Sequence, residues 1–301
     1  MRQQRVKMSD GIFLLDKPIG LSSNQALQKV KRLLGEKKAG HTGCLDPLAT
    51  GLLPLCFGEA TKFSSYLLNA DKSYEVTAKL GEITTTGDSE GEVISTKPMT
   101  HIDLDQIKSA VARFIGSYDQ IPPMYSALKH QGQPLYKLAR QGKVIERKPR
   151  HITIYHLEFI DFSDGLLKLT VDCSKGTYIR SLIEDIGNDL GCGAHITALR
   201  RTKTGGYIID DAITLEAVAS GDRDMILAQH VFPVVHCLPA YPSLILSEQE
   251  LRALRYGQVV HMPETEVPGM VKLLTALNQF AGLAEITADH RLVGIRLWQS
   301  L

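Results

Sequence analysis

The sequence predicts an α+β fold, with a larger body of mixed strands and helices followed by a small β-barrel. The body is indicated by strand-type alternation of apolar residues and helix-type apolar spacing, which take turns over residues 11–190. The barrel is indicated beyond Pro239 and Pro242, where one helical stretch precedes three short apolar runs separated by turn residues. With 301 residues, 44% of them hydrophobic, the chain can form one large or two modest domains. We predict domains at residues 9–238 and 239–301.

The chain opens with a strand, a turn and a helix. Residues 11–15 form an apolar run typical of a buried strand, and residues 16–20 contain the glycine and proline of a turn. Ser22 and Gln25 have capping-box spacing, and the apolar stripe that follows them ends before Gly35. These signals predict the first helix.

The remaining elements follow from the same two periodicities. Helical spacing recurs three times in the body and once near the C-terminus, and strand alternation recurs twice in the body. In chain order we predict helix 59–68, strand 74–80, loop 84–91, helix 103–116, strand 167–173, helix 179–190, helix 247–255 and the apolar runs 271–274, 280–286 and 292–298.

Charge is balanced overall but not locally. Lys and Arg total 34 against 33 Asp and Glu, which gives a net charge of +1. Residues 1–40 carry nine basic against three acidic side chains, and residues 129–150 carry seven against one. Two basic stretches on a neutral chain favour contact with phosphates by part of the surface, although they are also compatible with solvated faces.

Several classes of protein are disfavoured. The apolar run at residues 12–15 is far too short for a signal sequence or a membrane span. The five cysteines are scattered and odd in number, and Cys192 with His195 lacks the further ligands of a zinc site. We predict reduced, mostly buried thiols in a cytoplasmic protein without a metal site.

Asp46 lies in the most unusual stretch of the chain. Residues 40–54 contain three glycines and two prolines with leucines between them, which indicates a constrained loop packed against the protein. Asp46 followed by Pro47 is also a good pair for the start of a short helix that Gly51 would end. From the local pattern alone, helix capping is the favoured role, and a fixed functional carboxylate is the alternative.

The full string changes this balance. Residues 40–54 follow the pattern G-H-T-G-x-L-D-P-x-A-x-G-x-L-P, which resembles the catalytic loop of the bacterial TruB family of tRNA pseudouridine synthases. The resemblance implies that Asp46 is the catalytic residue. Two further motifs, K-x-Y at 72–74 and K-G-T-Y-I-R at 175–180, imply that Tyr74 stacks on the target uracil, Tyr178 lies beside it and Arg180 pairs with Asp46. Without the resemblance, Tyr74 is a core tyrosine and Arg180 a surface helix arginine.

The same resemblance implies a set of substrate contacts. An insertion at about 122–151, which contains the motif I-P-x-M-Y-S-A-x-K, would grip the RNA loop; the alternative is an ordinary solvated excursion. Lys17 would lie near the active site, for which the alternative is an exposed turn lysine. The predicted substrate-binding residues are Lys17, His41, Leu199, Lys129, Lys137, Arg140, Lys143 and Arg147.

The activity implied by the resemblance is conversion of uridine 55 in the T-loop of tRNA to pseudouridine. The N1–C1′ bond breaks and C5 bonds to C1′, so neither a metal nor an organic cofactor is required. One ionised carboxylate would attack C1′, add to C6 or remove the 2′-hydrogen, and Arg180 would hold it charged. The target base would be flipped out of the folded RNA.

The resemblance also implies an architecture and a mode of action. The fold would be a pseudouridine synthase fold with a mixed, largely antiparallel sheet flanked by helices, followed by a PUA-like RNA-binding barrel. We predict a monomer that needs no membrane and no obligatory protein partner. The alternatives are a non-catalytic tRNA-binding or RNA-folding protein, and a guide-RNA-dependent pseudouridine synthase subunit.

Overall fold

The computed structural model describes residues 10–263 and 267–299. Residue 9, where the first domain is predicted to begin, and the basic residues among 1–8 lie outside these ranges. The described residues form a large mixed sheet with helices and, toward the C-terminus, a smaller sheet.

The strands of the large sheet and its two hairpins are given first. They are β1 Gly11–Lys17, β2 Ala39–His41, β3 Thr50–Phe57, β4 Lys72–Leu80, β5 Glu82–Thr84, β6 Val93–Thr96, β7 Gly116–Gln120, β8 Lys129–His130, β9 Gln133–Pro134, β10 Arg150–Ser163, β11 Leu166–Cys173, β12 Ala194–Thr204, β13 Tyr207–Ile208, β14 Ile213–Thr214 and β15 Val231–Phe232. The C-terminal strands are β16 Ser243–Ile245, β17 Val260–His261, β18 Gly269–Leu274, β19 Phe280–Ile286 and β20 Arg291–Leu297.

Helices connect these strands. They are α1 Ser23–Leu33, α2 Ser64–Leu68, α3 Leu104–Arg113, α4 Leu135–Ala139, α5 Ile179–Asp189, α6 Leu215–Ser220, α7 Arg223–His230 and α8 Glu248–Arg255, with 3₁₀ turns at Gly58–Phe63, Ile209–Asp211 and Val234–Cys237. None of the helices in the described ranges is long and apolar enough to cross a membrane.

The large sheet has the order β14-β1-β3-β12-β4-β11-β10-β7, with β2, β13 and β15 paired beside β3, β12 and β1. Among the strand pairs described for the large sheet, only β1–β14 and β3–β12 are parallel. The predicted mixed, largely antiparallel sheet is therefore confirmed. Its central strands β3, β12 and β4 follow or carry the sequence motifs, so the motifs meet at the middle of the sheet.

The two faces of the sheet are covered differently. On one face, Phe13 and Leu15 of β1 share a core with Val30 of α1, Ile107 of α3 and Ile183 of α5. On the other face, Ile12 and Leu14 pack with residues of the 58–68 segment and of the C-terminal sheet. Because successive strand residues point to opposite faces, β1 is buried on both sides, as its continuous apolar run predicts.

Local signals placed several helices correctly. Ser22 caps α1 in a capping box with Gln25, as predicted, and Asp103 forms the same motif with Gln106 at the start of α3. Helix α8 begins after Ser247, also within the predicted range. These motifs satisfy free N–H groups of the first helical turn, which is why they mark helix starts in sequence.

Other boundaries differ from the prediction. Strand β1 continues through Asp16 and Lys17, so the predicted turn at residues 16–20 begins only at Pro18. The predicted loop at 40–54 is shorter, because β3 begins at Thr50 and its residues from Gly51 onward pair with β1. The predicted helix 59–68 consists of a 3₁₀ turn followed by α2.

The predicted small barrel is a curled half-barrel sheet with the order β16-β18-β19-β20-β17. It has its own apolar cluster, and it also contributes Leu283 and Trp298 to the core beneath β1 and β3. The ring centroids of Trp298 and Phe63 are 5.9 Å apart, and those of Phe280 and Phe63 are 5.5 Å apart. The smaller sheet is thus packed tightly against the larger body.

Candidate active site

Asp46 lies in a tight connection between β2 and β3, residues 42–49, which we call the Asp46 loop. The loop is closed at its base by Thr42, whose backbone N–H donates to the Pro54 carbonyl at 3.0 Å. Beyond Asp46 the chain makes one turn, in which the Ala49 N–H donates to the Asp46 carbonyl at 3.1 Å, and then enters β3 without forming a helix. The helix-capping interpretation of Asp46 is therefore wrong.

The backbone is fixed on both sides of Asp46. Ser23, at the start of α1, accepts a hydrogen bond from the Leu45 N–H at 2.7 Å and donates its hydroxyl to the Leu45 carbonyl at 3.1 Å. The Gly20 N–H donates to the Pro47 carbonyl at 2.8 Å. The single segment 20–23 thus holds the residues before and after Asp46, which fixes the direction of its side chain.

A buried arginine supports the loop from below. Arg201 of β12 is 1% exposed, and its Nε donates to the Leu52 carbonyl at 2.7 Å while its Nη2 reaches the Gly43 carbonyl at 3.4 Å. Gly51 lies between these contacts at φ 97°, and a Cβ there would come within 2.3 Å of the Arg201 carbonyl oxygen. Only glycine satisfies both conditions, which explains its position in the motif.

Asp46 and Arg180 meet as predicted. The Asp46 Oδ2 and Arg180 Nη2 atoms are 3.0 Å apart, and 43% of the aspartate side chain but only 6% of the arginine side chain is exposed. Arg180 also donates to the carbonyls of Thr86 at 2.8 Å and Tyr125 at 2.6 Å. It is a buried, positioned cation, so the surface-arginine interpretation is wrong.

A second carboxylate shares this arginine. Asp88 is almost completely buried, and its Oδ2 lies 3.8 Å from the Nε atom of Arg180. Asp88 is itself held by the N–H of Glu90 at 3.1 Å. The guanidinium therefore lies between one buried and one partly exposed carboxylate, with the exposed one, Asp46, facing the open side.

Burial and charge act in opposite directions on Asp46. Desolvation is the largest effect and raises the pKa of Asp46, whereas the Arg180 guanidinium lowers it; Asp88 raises it further and Lys17 lowers it. The balance leaves the pKa of Asp46 above its ordinary value. Arg180 thus limits a shift that burial would otherwise make larger.

Lys17 is fully buried rather than exposed. Its Nζ donates to the carbonyls of Pro18 at 2.9 Å and Leu21 at 2.6 Å, which closes the turn that binds Pro47 through Gly20. Burial lowers the pKa of Lys17 to about 8, and Asp46 opposes this effect. The exposed-turn interpretation is wrong, and Lys17 lies beneath the Asp46 loop.

The two predicted tyrosines are both held close to this centre. Tyr74 is a buried residue of β4, and Tyr178 immediately precedes α5. Burial raises the pKa of both phenols, and the negative charge of Asp46 adds to each shift. Arg201 lowers the pKa of Tyr74, and the positive charges of Arg150 and Arg180 lower that of Tyr178. Both rings therefore remain neutral near Asp46 at ordinary pH.

His41 and Leu199 lie on either side of the loop. His41 ends β2, and its buried Nδ1 has no hydrogen-bond partner among the described residues. Burial lowers the pKa of His41, with a further contribution from Arg201, which favours the neutral ring. Leu199 and Leu48, the latter in the Asp46 loop, both line a groove of 570 Å³.

The predicted insertion connects β7 to β10 and contains β8, β9 and α4. Four of its predicted RNA contacts are exposed, namely Lys129, Lys137, Arg140 and Lys143. Arg147 is only partly exposed and donates to the Pro122 carbonyl at 3.0 Å, so it stabilises the base of the insertion. These four exposed cations are separated from Asp46. The insertion is linked to Asp46 through Tyr125, whose carbonyl accepts a hydrogen bond from Arg180.

Ser23, Asp88 and Arg201 were not predicted from sequence. Ser23 follows the helix cap Ser22 and has no distinguishing local pattern, and Asp88 lies in a polar stretch that reads as a loop. Arg201 is one of several basic residues in its segment, and nothing in the sequence marks it as buried. Within residues 10–263 and 267–299, no group of three His, Cys, Asp or Glu side chains is placed to hold a metal ion.

Comparison with protein families covers nearly the whole chain. A family described as TruB family pseudouridylate synthase (N terminal domain) matches residues 31–179. One described as tRNA pseudouridylate synthase B C-terminal domain matches residues 180–238, and one described as pseudouridine synthase II TruB, C-terminal, matches residues 242–298.

Curated relatives extend over the same length. The protein named tRNA pseudouridine synthase B from Pseudomonas paraeruginosa is 50% identical over 302 residues, which cover 99% of this chain and 99% of that protein. The protein of the same name from Pasteurella multocida is 48% identical over 295 residues, covering 97% and 95%.

Among solved structures, a chain of the Cbf5-Nop10-Gar1 complex matches with a TM-score of 0.71 and 23% identity, covering 99% of this chain and 87% of that chain. A chain of the archaeal box H/ACA sRNP Nop10-Cbf5 complex matches with a TM-score of 0.70 and 21% identity, covering 99% and 88%. These likenesses concern the fold, and they confirm the predicted pseudouridine synthase fold. On the family matches and the full-length identity together, the chain belongs to the TruB family of pseudouridylate synthases.

Proposed function

We propose that this chain converts uridine 55 in the T-loop of tRNA to pseudouridine, with Asp46 as the reacting carboxylate. The relatives that match it over its whole length are named tRNA pseudouridine synthase B. The observation that carries the residue assignment is the 3.0 Å contact between Asp46 and the buried Arg180. It places a partly exposed carboxylate, fixed through its backbone neighbours, at the open side of the central strands.

Asp46 acts in its ionised form. Whether it attacks C1′, adds to C6 or removes the 2′-hydrogen, the carboxylate must hold a lone pair free, and protonation would remove that capacity. Desolvation favours the protonated form, and Arg180 opposes it. Arg180 is itself held by two carbonyls, so it presents its charge without having to reorganise during the reaction.

The reaction is an isomerisation in which atoms balance within the substrate. The N1–C1′ bond breaks, the uracil turns, C5 bonds to C1′ and the C5 proton leaves as N1 gains one. The raised pKa of Tyr178 makes its phenol a poor base near neutral pH, so a hydrogen-bonding role that orients the uracil is favoured over removal of the C5 proton.

The uracil reaches Asp46 only after it leaves the RNA stack, which costs a few kcal/mol. Stacking on Tyr74 would offset part of that cost, since base–aromatic stacking contributes about 1–3 kcal/mol per base in other systems. His41, whose burial favours the neutral ring, would contact the RNA beside the flipped nucleotide. Leu48 and Leu199 would cover apolar parts of the same region.

The exposed cations of the insertion would bind phosphates of the T-arm. Lys129, Lys137, Arg140 and Lys143 are free to face solvent, and basic side chains of this kind position a nucleic acid without reading its sequence. We also propose that residues 239–301 bind RNA as a PUA-like domain. The protein would act as a cytoplasmic monomer without a cofactor or protein partner.

The test is product formation by the purified protein alone. Unmodified tRNA labelled with tritium at C5 of uridine is incubated with the protein, and the released tritium is measured. A matched tRNA with cytidine at position 55 is the control. We expect release from the first RNA and none from the second. Binding without release would favour the RNA-folding alternative, and release only after addition of a guide RNA would favour the guide-dependent one.

A further inference from the structure

Gln120 occupies a position that connects three parts of the protein. It is the last residue of β7, it is 2% exposed, and it directly precedes the segment that begins the insertion. Its backbone pairs with Arg150 at the other end of the insertion, where β10 begins. Its side chain points instead toward Tyr178, the residue before α5.

The amide group of Gln120 binds both polar groups of the Tyr178 backbone. Its Oε1 accepts from the Tyr178 N–H at 2.8 Å, and its Nε2 donates to the Tyr178 carbonyl at 3.1 Å. The Nε2 group donates a second hydrogen bond to the hydroxyl of Tyr118 at 3.1 Å. Both N–H donors of the amide and its oxygen are therefore used, which determines the orientation of the amide.

We propose that Gln120 is a positioning residue of the active site: it sets where α5 begins and thereby places the side chains of Tyr178 and Arg180. This inference rests on the proposed function of those two residues. The hydroxyl, amide or carboxylate that usually caps a helix comes from the residue at its start, yet Tyr178 makes no side-chain capping bond. Gln120 instead binds the backbone of the N-cap residue itself: from another strand it accepts from the Tyr178 N–H, one of the free N–H groups at the helix start, and it donates to the Tyr178 carbonyl.

The geometry of α5 transmits this contact to the arginine. Arg180 is two residues beyond Tyr178, in the first turn of the helix, and it must reach the Asp46 carboxylate, 3.0 Å away, while donating to two carbonyls. A displacement of about 1 Å in such an arrangement can lower a rate by as much as about a hundredfold. A shift in the first turn therefore affects the reaction more than it affects binding of the whole tRNA.

Two neighbouring hydrogen bonds join the same two segments, so the contact between Gln120 and Tyr178 is not an isolated one. The Ser181 hydroxyl donates to the Ile121 carbonyl at 3.1 Å, and Arg180 donates to the Tyr125 carbonyl at 2.6 Å. Residues immediately after Gln120 are thus bonded to residues immediately after Tyr178.

The test compares Gln120→Met with Ser117→Ala. Methionine has nearly the volume of glutamine but makes none of the three hydrogen bonds. Ser117 lies on β7, as Gln120 does, and Ser117→Ala removes one exposed hydrogen bond, the one to Thr153. The single-turnover rate on saturating tRNA and the tRNA dissociation constant are measured for each. For Gln120→Met we expect the rate to fall at least about tenfold, with the dissociation constant within about threefold of wild type. For Ser117→Ala we expect both to stay within about twofold.

A second readout does not depend on activity. The exchange rate of the Tyr178 amide hydrogen should rise in Gln120→Met, because its acceptor is lost, and should be unchanged in Ser117→Ala. If Gln120→Met does not fold, Gln120→Glu replaces it: the ionised carboxylate still accepts from the Tyr178 N–H but cannot donate to its carbonyl. The same criteria then apply, with a rate decrease of at least about threefold.

A rate within about twofold of wild type, or equal losses of rate and affinity, would overturn the inference. Unchanged exchange at Tyr178 would do the same. Failure of the proposed function is distinguishable, because the wild-type protein would then release no tritium while the exchange difference between the two variants would persist.

Discussion

Asp46 is held in place through its backbone and its neighbours, and among the described residues its side chain pairs with Arg180 alone. Asn has the same shape, and the loop is fixed through the backbones of Leu45 and Pro47, so we expect Asp46→Asn to fold and to bind tRNA. Without an ionisable carboxylate it should form no pseudouridine. Single-turnover product formation and equilibrium binding check this. Activity within about tenfold of wild type, equivalent to about 1.4 kcal/mol of barrier, would contradict the assignment.

Arg180 and the pH both determine how far the Asp46 carboxylate is ionised. Because the pKa of Asp46 is raised, wild-type activity should fall with decreasing pH at a higher pH than an ordinary aspartate would require. Arg180 lowers that pKa, so Arg180→Met should move the loss to still higher pH and regain activity as pH rises. Arg180→Lys keeps a charge but loses the planar fork, and it should lie between Met and wild type.

The measurement is the single-turnover rate on saturated enzyme across pH for the three proteins. Circular dichroism is needed as a control, because Arg180→Met leaves the buried Asp88 without its cation and lowers stability. Equal rates at saturation, with weaker binding, would show that Arg180 serves mainly as an RNA contact.

The residues missed from sequence share one property. Ser23 acts on Leu45, 22 positions away, and Arg201 acts on Leu52, 149 positions away. Asp46 and Arg180 were found because each lies in a long motif, whereas a serine or arginine that binds a distant carbonyl has no local signature. Such roles follow from the fold, not from the composition of the segment.

Most of the predicted RNA-binding cations of the insertion face solvent, but Arg147 is only partly exposed. Changing Lys137, Arg140 and Lys143 to glutamine should weaken tRNA binding and lower the slope of log K against log salt by about 2–3, since each phosphate contact contributes roughly 0.7–0.9. The rate on bound RNA should change less. Arg147→Gln is the matched comparison: its guanidinium already binds the Pro122 carbonyl, so the salt slope should not change. An unchanged slope in the triple variant would show that these residues are only solvated.

Elements with local signals were predictable, and those formed by long-range pairing were not. Helices α1 and α3 have a cap and an apolar stripe within a dozen residues of each other. Strand β12 carries Arg200, Arg201 and Lys203, so its sequence lacks the apolar run of a central strand. It is central because its backbone pairs with β3 and β4, and Arg201, bound to the Leu52 carbonyl, and Arg200, 2.7 Å from Asp16, satisfy their charges there. Strand β10 was missed for a related reason, since several side chains on it face solvent.

The two predicted domains share a core across their boundary. Trp298 is 9% exposed and packs with Phe63 and Phe280, and the Lys62 ammonium donates to the Leu297 carbonyl at 2.9 Å. The backbone N–H of Gln299 donates to Glu59 at 3.2 Å. The boundary at residue 239 remains a prediction, but the C-terminal sheet covers apolar surface that the larger body would otherwise expose.

Removing the tryptophan should therefore destabilise the whole protein. We expect Trp298→Ala to lower the free energy of unfolding by about 3–5 kcal/mol, the usual cost of truncating a large buried aromatic. Urea unfolding followed by circular dichroism measures it. Leu277→Ala is the control, because Leu277 is 80% exposed in the turn between β18 and β19 and its loss should change stability by no more than about 0.5 kcal/mol. Equal effects of the two substitutions would mean that the shared core contributes little.

Trp298 is also the chain's single tryptophan. Intrinsic fluorescence excited at the red edge of indole absorption consequently arises from one site, the seam between the two sheets, with no labelling required. A shielded indole emits toward the blue and resists collisional quenching by acrylamide, and a hydrated one does neither. Following emission and quenching during a tRNA titration would therefore report whether the C-terminal sheet stays seated on Phe63 as RNA binds, or lifts from it.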